Sequence, residues 1–210
     1  MARIRNKGRL GAALVCAVLA LGLRGVAPAG PEEPRASASL AGQLLVATPE
    51  MPDPRFARTV IYMIQHDASG AEGVVVNRPL GDIPLATLLK QMRMDSAGVT
   101  ATVQLHAGGP VNPLGVLILH TAEYTGEGTR VIKNGIALTQ EPAILAAIAR
   151  GKGPRRTFFA LGYAGWGPGQ LEAEMKAGGW VRAVADEAIV FDGDYEHKWD
   201  RAMDRRRIDL

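Results

Sequence analysis

The amino-acid sequence predicts a single α+β domain, and three observations support that class. Segments with strand character occur in pairs, single helices fall between them, and the regular strand–helix alternation of a parallel α/β sheet is missing. The 210 residues are enough for one domain with a buried core. Apolar residues make up 47% of the chain and charged residues 21%, which is ordinary for a globular protein.

The sequence of the first half of the domain predicts a strand, a proline-rich loop, two adjacent strands and a helix. Residues 44–47 are a short apolar strand, and three prolines within residues 49–58 then prevent regular structure. Residues 59–66 and 73–77 are rich in β-branched side chains on either side of turn-forming residues, so they predict neighbouring strands. Residues 84–92 have leucines at helical spacing after a proline, which predicts a helix.

The second half of the domain predicts further strands and three helices. Residues 103–109 and 114–120 form two strands joined through Gly109–Pro113, and Asn134-Gly135 between strand-like flanks predicts a hairpin. The other strand candidates are residues 157–164, 180–185 and 188–191. The predicted helices are residues 140–151, with Thr139 as cap and Gly151 as stop, residues 170–179, and residues 195–207, with Tyr195, Trp199 and Met203 on one stripe.

The N-terminus has the pattern of an export signal. Residues 1–29 carry basic residues first, then 13 apolar residues at 11–23, then Ala27-Pro28-Ala29 as a cleavage site. They predict a signal peptide or anchor, a linker at 30–39, a domain at 40–210, and an exported protein, periplasmic or membrane-anchored. Membrane contact is then expected only through residues 11–23, if they remain uncleaved. The alternative is a start assigned too far upstream and a cytoplasmic protein.

The charge distribution argues against direct DNA binding. The net charge is +3, but five of the 24 basic residues lie within residues 1–24, where no acidic residue occurs. The rest of the chain therefore has 19 basic and 21 acidic residues, which is not the balance of a polyanion-binding surface. Two basic clusters remain, one at Lys152, Arg155 and Arg156 and one at Arg205–Arg207, and neither is interleaved with aromatic residues.

Residues for nucleophilic, thiol or metal chemistry are scarce, so no catalytic residue, metal or cofactor is predicted. Cys16, the one cysteine, lies inside the apolar run, and no serine stands in a nucleophile-elbow motif. The four histidines show no metal-ligand spacing. His66, His106 and His120 lie at the ends of predicted strands, where they could converge at one rim of the sheet.

The stretch GYAGWGPGQLEAE (162–174) offers two interpretations. Four glycines fall within eight residues between a predicted strand and a predicted helix, as in a dinucleotide-binding loop, and Asp186 lies near the position of a ribose-binding acid. Against this, Gln170 replaces the third glycine and Pro168 removes an N–H donor. The other interpretation is a tight corner with Trp166 packed on the sheet.

Several motifs together resemble the AlgH/YqgE family of bacterial proteins. They are MPDPRFARTVIYMIQH, GVVVNRPLGD, HAGGPV, NGIALT, IARGKGP and LGYAGWGPGQLEAEM, in that order, and the resemblance runs from about Leu40 to Leu210. The resemblance implies a split, mostly antiparallel sheet folded into a pseudo-barrel flanked by helices. It also implies a transcriptional-regulator label that identifies no DNA-binding element. Glu72 departs from the family pattern, which has an apolar residue there, and so does the export signal, since members are normally cytoplasmic.

The motif positions of the resemblance suggest one binding surface. It would consist of the DPRF loop, the NRP turn and the glycine-rich corner: Arg55, Asn77, Arg78, Gly165, Trp166, Gly167 and Gly169. Arg55 and Arg78 would donate to an anionic group and Trp166 would offer an aromatic face. The expected function is that of a non-enzymatic regulatory or binding domain for a protein partner or a small anionic ligand. The alternatives are a small-molecule or nucleotide-binding enzyme that uses the corner, and a DNA-binding regulator.

Overall fold

The computed structural model describes residues 39–207. Ten strands and five short α-helices make up this part of the chain, which confirms the α+β class. The predicted signal segment at 1–29 and the predicted linker up to residue 38 lie outside the described residues. None of the helices in the described part has both the length and the apolar character that a bilayer crossing requires.

Four antiparallel strands form one half of the sheet, in the order β10-β1-β2-β3. They are β1 (Leu44–Ala47), β2 (Val60–Asp67), β3 (Gly70–Val75) and β10 (Trp180–Ala183). All four residues of β1 are buried because both faces of this strand are covered. The predicted strands at residues 44–47, 59–66 and 73–77 are therefore confirmed, with shifts at their ends.

The second half of the sheet is organised around one long strand, β9 (Thr157–Trp166). The other strands of this half are β4 (Pro79–Pro84), β5 (Thr102–Ala107), β6 (Val111–Thr121), β7 (Arg130–Lys133) and β8 (Ile136–Thr139). One edge of β9 pairs with β6; the other pairs first with β5, in parallel, and then with β3. The sheet splits at this change of partner, as the family resemblance implied.

The sheet curls into a half-barrel that side chains close on the remaining side. The hydroxyl of Tyr62 on β2 donates to the carbonyl of Lys133 on β7, at 3.2 Å. The guanidinium of Arg130 donates to the carbonyl of Ile64 across the same gap, at 3.0 Å. The inward-facing residues of β1, β2, β3, β6, β8 and β9 meet in the main core, which α5 (Lys198–Asp204) and α4 (Glu187–Val190) also cover.

Two smaller apolar clusters cover the outer faces of the sheet. The helices α1 (Leu85–Gln91) and α2 (Ala143–Ala149) pack on the β6 and β9 side with Ile118 and Phe159. The helix α3 (Gln170–Lys176) packs on the β1, β2 and β3 side through Leu171, next to Trp166 and Trp180. These three helices confirm the predictions at 84–92, 140–151 and 170–179 with shorter bounds.

The structure corrects four local predictions. Residues 188–190 belong to α4, which Phe191 ends, and not to a strand, because Asp186 accepts a hydrogen bond from the amide of Ile189 and starts a helix. Thr139 does not cap α2, since it lies in β8 and bonds its neighbours there. The strand β4 was not predicted, and β6 begins at Val111, inside the segment that was predicted to link the two strands. The last helix begins only at Lys198, so Tyr195 packs on the core from the preceding turn.

Candidate functional site

The Asp53–Phe56 turn presents Arg55 at the surface. Asp53 caps a 3-10 turn by accepting from the amide of Arg55 at 2.9 Å, and its carboxylate forms an ion pair with the Arg55 guanidinium at 2.7 Å. The hydrogen bonds from Arg55 hold the pKa of the Asp53 carboxyl below its usual value. The Arg55 side chain is 76% exposed, so the predicted anion donor is accessible but already has a carboxylate partner.

Asn77 and Arg78 anchor the DPRF loop to the sheet. The Asn77 side chain accepts from the amide of Val60 at 2.9 Å and donates to the carbonyl of Arg58 at 2.8 Å. Both ends of its amide are therefore used within the protein, which makes Asn77 a structural clamp. Arg78 donates through one terminal nitrogen, Nη2, to the Thr59 hydroxyl at 2.7 Å and to the Ala57 carbonyl at 3.3 Å. Arg78 also lines a surface cavity.

The glycine-rich corner holds Trp166 inward. Trp166 is 8% exposed and lies edge-on to Trp180, with 5.9 Å between the ring centroids. Both indole N–H groups donate to one oxygen of Glu174, at 2.9 Å from Trp166 and 2.8 Å from Trp180. The side-chain amide of Gln170 donates to the other oxygen at 2.9 Å. Only a small part of Trp166 therefore lines the neighbouring cavity, in place of the open aromatic face that the sequence suggested.

Gly165, Gly167 and Gly169 of the corner differ in whether another residue could take their place. Gly169 has φ of 71° at the start of α3, a left-handed conformation that glycine adopts without strain. Gly165 and Gly167 have room for a Cβ, with the nearest atoms at 3.5 and 3.9 Å. The amide of Gly167 donates to the Gln170 side chain at 3.0 Å, so this donor is occupied within the corner.

Two adjoining cavities connect these segments. The larger, the aromatic cavity, has a volume of about 310 Å³ and lies between the DPRF loop and the corner. The smaller, the arginine cavity, has about 160 Å³ and includes Arg78. Arg55, Phe56 and Pro110 line both, so the two cavities form one surface depression, here called the loop–corner groove. Four segments far apart in sequence thus meet at this groove.

The two ends of the groove differ in charge. The aromatic cavity is lined by Met51, Phe56, Trp166 and Trp180 among others, and it includes the carboxylates Asp53 and Glu174. Hydrogen bonds hold both carboxylates, from Arg55 in one case and from the two indoles in the other. In the described part of the chain the arginine cavity has two guanidinium groups in its lining and no acidic side chain. An anionic group is therefore best matched at the arginine end.

The three strand-end histidines do not share a set of neighbours. His66 accepts from the amide of Leu40 at 3.0 Å and lies 2.9 Å from Glu172. His106 stacks on Phe158, and burial lowers its pKa to about 4. Burial also lowers the pKa of His120, whose ring bonds Thr139 at 2.9 Å. Within residues 39–207, no three His, Cys, Asp or Glu side chains gather as a metal site requires.

The acids and bases singled out elsewhere in the sequence have local partners. Asp186, considered as a ribose-binding acid, caps α4 and pairs with Arg205 at 2.9 Å. Arg155 of the other basic cluster pairs with Glu187 at 2.7 Å. These contacts give both clusters a role in holding α4 against the rest of the domain.

Sequence reasoning missed the buried Lys198. Its ammonium donates to the carbonyls of Val76 at 2.9 Å and Val190 at 3.3 Å, and it lies 4.8 Å from the centroid of the Tyr195 ring. Burial lowers the pKa of Lys198 to about 8. Lys198 therefore ties α5 to the chain that precedes Asn77 and Arg78. Its position next to the predicted apolar stripe gave no signal of burial, because a lysine is expected to face solvent.

Comparison with known proteins agrees with this fold and these motifs. The family described as AlgH-like matches residues 44–210. A UPF0301 protein of Afipia carboxidovorans is 48% identical over 179 residues, covering 81% of this chain and 85% of the relative. Another, from Methylococcus capsulatus, is 41% identical over 86% of this chain and 98% of its own length. The solution structure of the AlgH protein from Pseudomonas aeruginosa matches with a TM-score of 0.70 and 36% identity, over 82% of this chain and 92% of that one. The chain therefore belongs to the AlgH-like family.

Proposed function

We propose that this protein is a non-enzymatic binding domain whose recognition surface is the loop–corner groove. The observation that carries the proposal is that four separate motif segments line two adjoining cavities with Arg55, Phe56 and Pro110 in common. A concave apolar surface with a few convergent polar groups is the usual form of a ligand site. The groove has no histidine, serine, cysteine or lysine in its described lining, and its two carboxylates already accept hydrogen bonds. Binding suits this set of side chains better than acid–base or nucleophilic catalysis.

The ligand chemistry follows from the difference between the two ends. Phe56 and Met51 offer aromatic and apolar contact, next to Trp166 and Trp180, which are largely buried. Arg78 and Arg55 offer N–H donors to an anion. The best match is a ligand that joins an aromatic or apolar group to an anionic group. Such a ligand is either a small molecule or a side chain of a protein partner, and its binding would be the regulatory event.

Phenyl phosphate provides a simple probe of this surface. It should raise the thermal unfolding temperature at millimolar concentration, because a ligand that binds only the folded state stabilises it. Inorganic phosphate alone and phenol alone should each give a smaller shift, since each uses one end of the groove. Equal shifts for phosphate and phenyl phosphate would remove the aromatic end from the proposal.

Variants at the groove separate binding from folding. Arg55→Ala and Phe56→Ala should each weaken phenyl phosphate binding by about tenfold. Because Arg55 is exposed, the unfolding temperature of ligand-free Arg55→Ala should stay near that of the wild type. Arg150→Ala is a matched control, because Arg150 is exposed at the end of α2 and outside the groove lining. Binding that is unchanged in Arg55→Ala and Phe56→Ala would contradict the proposal.

A further inference from the structure

The open end of the half-barrel holds another cavity, here called the barrel-mouth cavity. Its volume is about 290 Å³, and it shares no lining residue with the loop–corner groove. Its floor consists of three residues of the main core, Ile64, Leu117 and Leu138, of which only the outermost atoms reach the cavity, since they are 2%, 2% and 4% exposed. A cavity of this size suits a ligand smaller than a drug-like molecule.

One wall of the barrel-mouth cavity carries a carboxylate that faces inward. Glu72 lies on β3 between Ala71 and Gly73, and side chains alternate between the two faces of a strand. Val74, two residues on, is buried in the main core, whereas Ala71 belongs to the outer cluster. Glu72 therefore shares the inner face with Val74, at the end where the barrel opens.

The lining also includes a cation that is held in place. Arg130 on β7 reaches across the mouth, and one of its terminal nitrogens donates to the Ile64 carbonyl at 3.0 Å. Arg130 lines the cavity together with Asn112, Gln140 and Tyr163. Among residues 39–207, no ion pair joins Arg130 to Glu72. Two opposite charges thus line one cavity without a direct ion pair between them.

We propose that the barrel-mouth cavity binds a free α-amino acid with an apolar side chain. The ammonium group would pair with Glu72, the carboxylate would accept from Arg130, and the side chain would lie on Ile64, Leu117 and Leu138. A neutral apolar molecule would leave both charges without a partner, and a singly charged one would leave one. Among these ligands, the zwitterion alone offers a partner to both charges and an apolar group to the floor.

Three ligands of the same shape test the requirement for both charges. They are L-leucine, 3-methylbutylamine, which lacks the carboxylate, and 4-methylpentanoate, which lacks the ammonium. Titration calorimetry should give L-leucine a dissociation constant at least about tenfold lower than that of either analogue, because each analogue loses one charge-assisted hydrogen bond. If either analogue binds as well as L-leucine, or if none of the three binds, the proposal is overturned.

A charge-neutral variant of nearly the same shape links the effect to this cavity. Glu72→Gln should weaken L-leucine binding by about tenfold and leave 4-methylpentanoate binding unchanged, because only the ammonium partner is altered. Glu127→Gln, at an exposed acid outside the cavity lining, should bind all three ligands as the wild type does. Phe56→Ala in the loop–corner groove should also leave L-leucine binding intact, so failure at one site is distinguishable from failure at the other. Unchanged L-leucine binding in Glu72→Gln would overturn the assignment.

Discussion

At the residue scale, the most diagnostic stretch of the chain is held together by Glu174. The carboxylate of Glu174 accepts from Trp166, Trp180 and Gln170, and Gln170 also accepts from the amide of Gly167. The sequence predicted a tight corner or a phosphate cradle, and the observed contacts are those of a corner. Spacing alone could not reveal this arrangement, because Trp180 comes from a strand beyond the helix.

Loss of the Glu174 carboxylate should destabilise the domain. In Glu174→Ala, two largely buried indole N–H groups lose their acceptor, and an unsatisfied buried donor costs about 1–3 kcal/mol. We expect the free energy of unfolding in urea to fall by about 2 kcal/mol or more. Glu141→Ala, at an exposed acid, is the comparison. A change below about 0.5 kcal/mol in Glu174→Ala would mean that the shared carboxylate contributes little.

Removing the charge of Asp53 should strengthen ligand binding, not weaken it. Asp53→Asn keeps a side-chain oxygen for the cap but removes the charge that competes for the Arg55 guanidinium. Phenyl phosphate should therefore bind severalfold more tightly to Asp53→Asn than to the wild type, in keeping with the modest strength of exposed ion pairs. Calorimetric titration of both proteins measures the difference. Weaker binding in this variant would show that Asp53 contributes to recognition.

Burial of His106 should make stability depend on acidity. Its pKa is about 4 in the folded protein against 6.5 without burial, so the unfolded state binds the proton first as the pH falls. The contribution of His106 to the free energy of unfolding is complete above pH 6.5. Up to about 3 kcal/mol of it is lost as the pH falls from 6.5 to about 4. Urea unfolding over this range should show a steeper loss for the wild type than for His106→Gln.

A comparison histidine checks the sign of that pH dependence. Asp194 accepts a hydrogen bond from His197 and raises the pKa of this exposed imidazole, so its contribution is present at low pH and lost as the pH rises. His197→Gln should therefore change the pH dependence of the free energy of unfolding in the direction opposite to His106→Gln, and by less. If the free energy of unfolding depends on pH in the same way in the wild type and in His106→Gln, protonation of His106 is not linked to folding.

At the scale of elements, strong local signals predicted most of the fold. The Asn134-Gly135 hairpin formed as expected, with φ of 55° and 76° at the two turn residues. The predicted β1, β2, β3, β9 and three of the helices were also confirmed. The failures have physical reasons. β4 is an exposed edge strand that begins and ends with proline, and four-residue α4 depends on its Asp186 cap and on tertiary contacts.

The hairpin turn offers a direct test of backbone conformation. Gly135→Ala places a side chain at a left-handed residue, and its Cβ would also approach the flexible end of Glu187 at 2.8 Å. We expect the free energy of unfolding to fall by about 1–2 kcal/mol, measured by urea denaturation. Gly193→Ala is the matched control, since its Cβ would meet no neighbour within 4 Å. Equal stability of the two variants would contradict the assigned turn.

At the scale of the whole molecule, the split sheet explains why the candidate surface exists. The change of partner along β9 brings the Gly109-Pro110 segment, the corner and the DPRF loop to one side of the sheet. The family resemblance selected Arg55, Arg78 and the corner as one surface; Arg55, Arg78, Gly165 and Trp166 line the groove, whereas Gly167 and Gly169 do not. It could not show that Asn77 and Trp166 serve the fold itself, because their partners lie in distant segments. Nor could it identify Ala177, Gly179 and Trp180 as further lining residues, since that depends on tertiary packing.

The central claim is that the loop–corner groove binds a ligand with an anionic and an aromatic part. The most direct measurement is a titration of ¹⁵N-labelled protein with phenyl phosphate, followed by two-dimensional NMR. We expect saturable chemical-shift changes concentrated at the amides of Arg55, Phe56, Ala107, Gly109 and Gly165, and much smaller changes at the barrel mouth. Changes centred on any other surface, or no saturable change at millimolar ligand, would show that the loop–corner groove does not bind such a ligand.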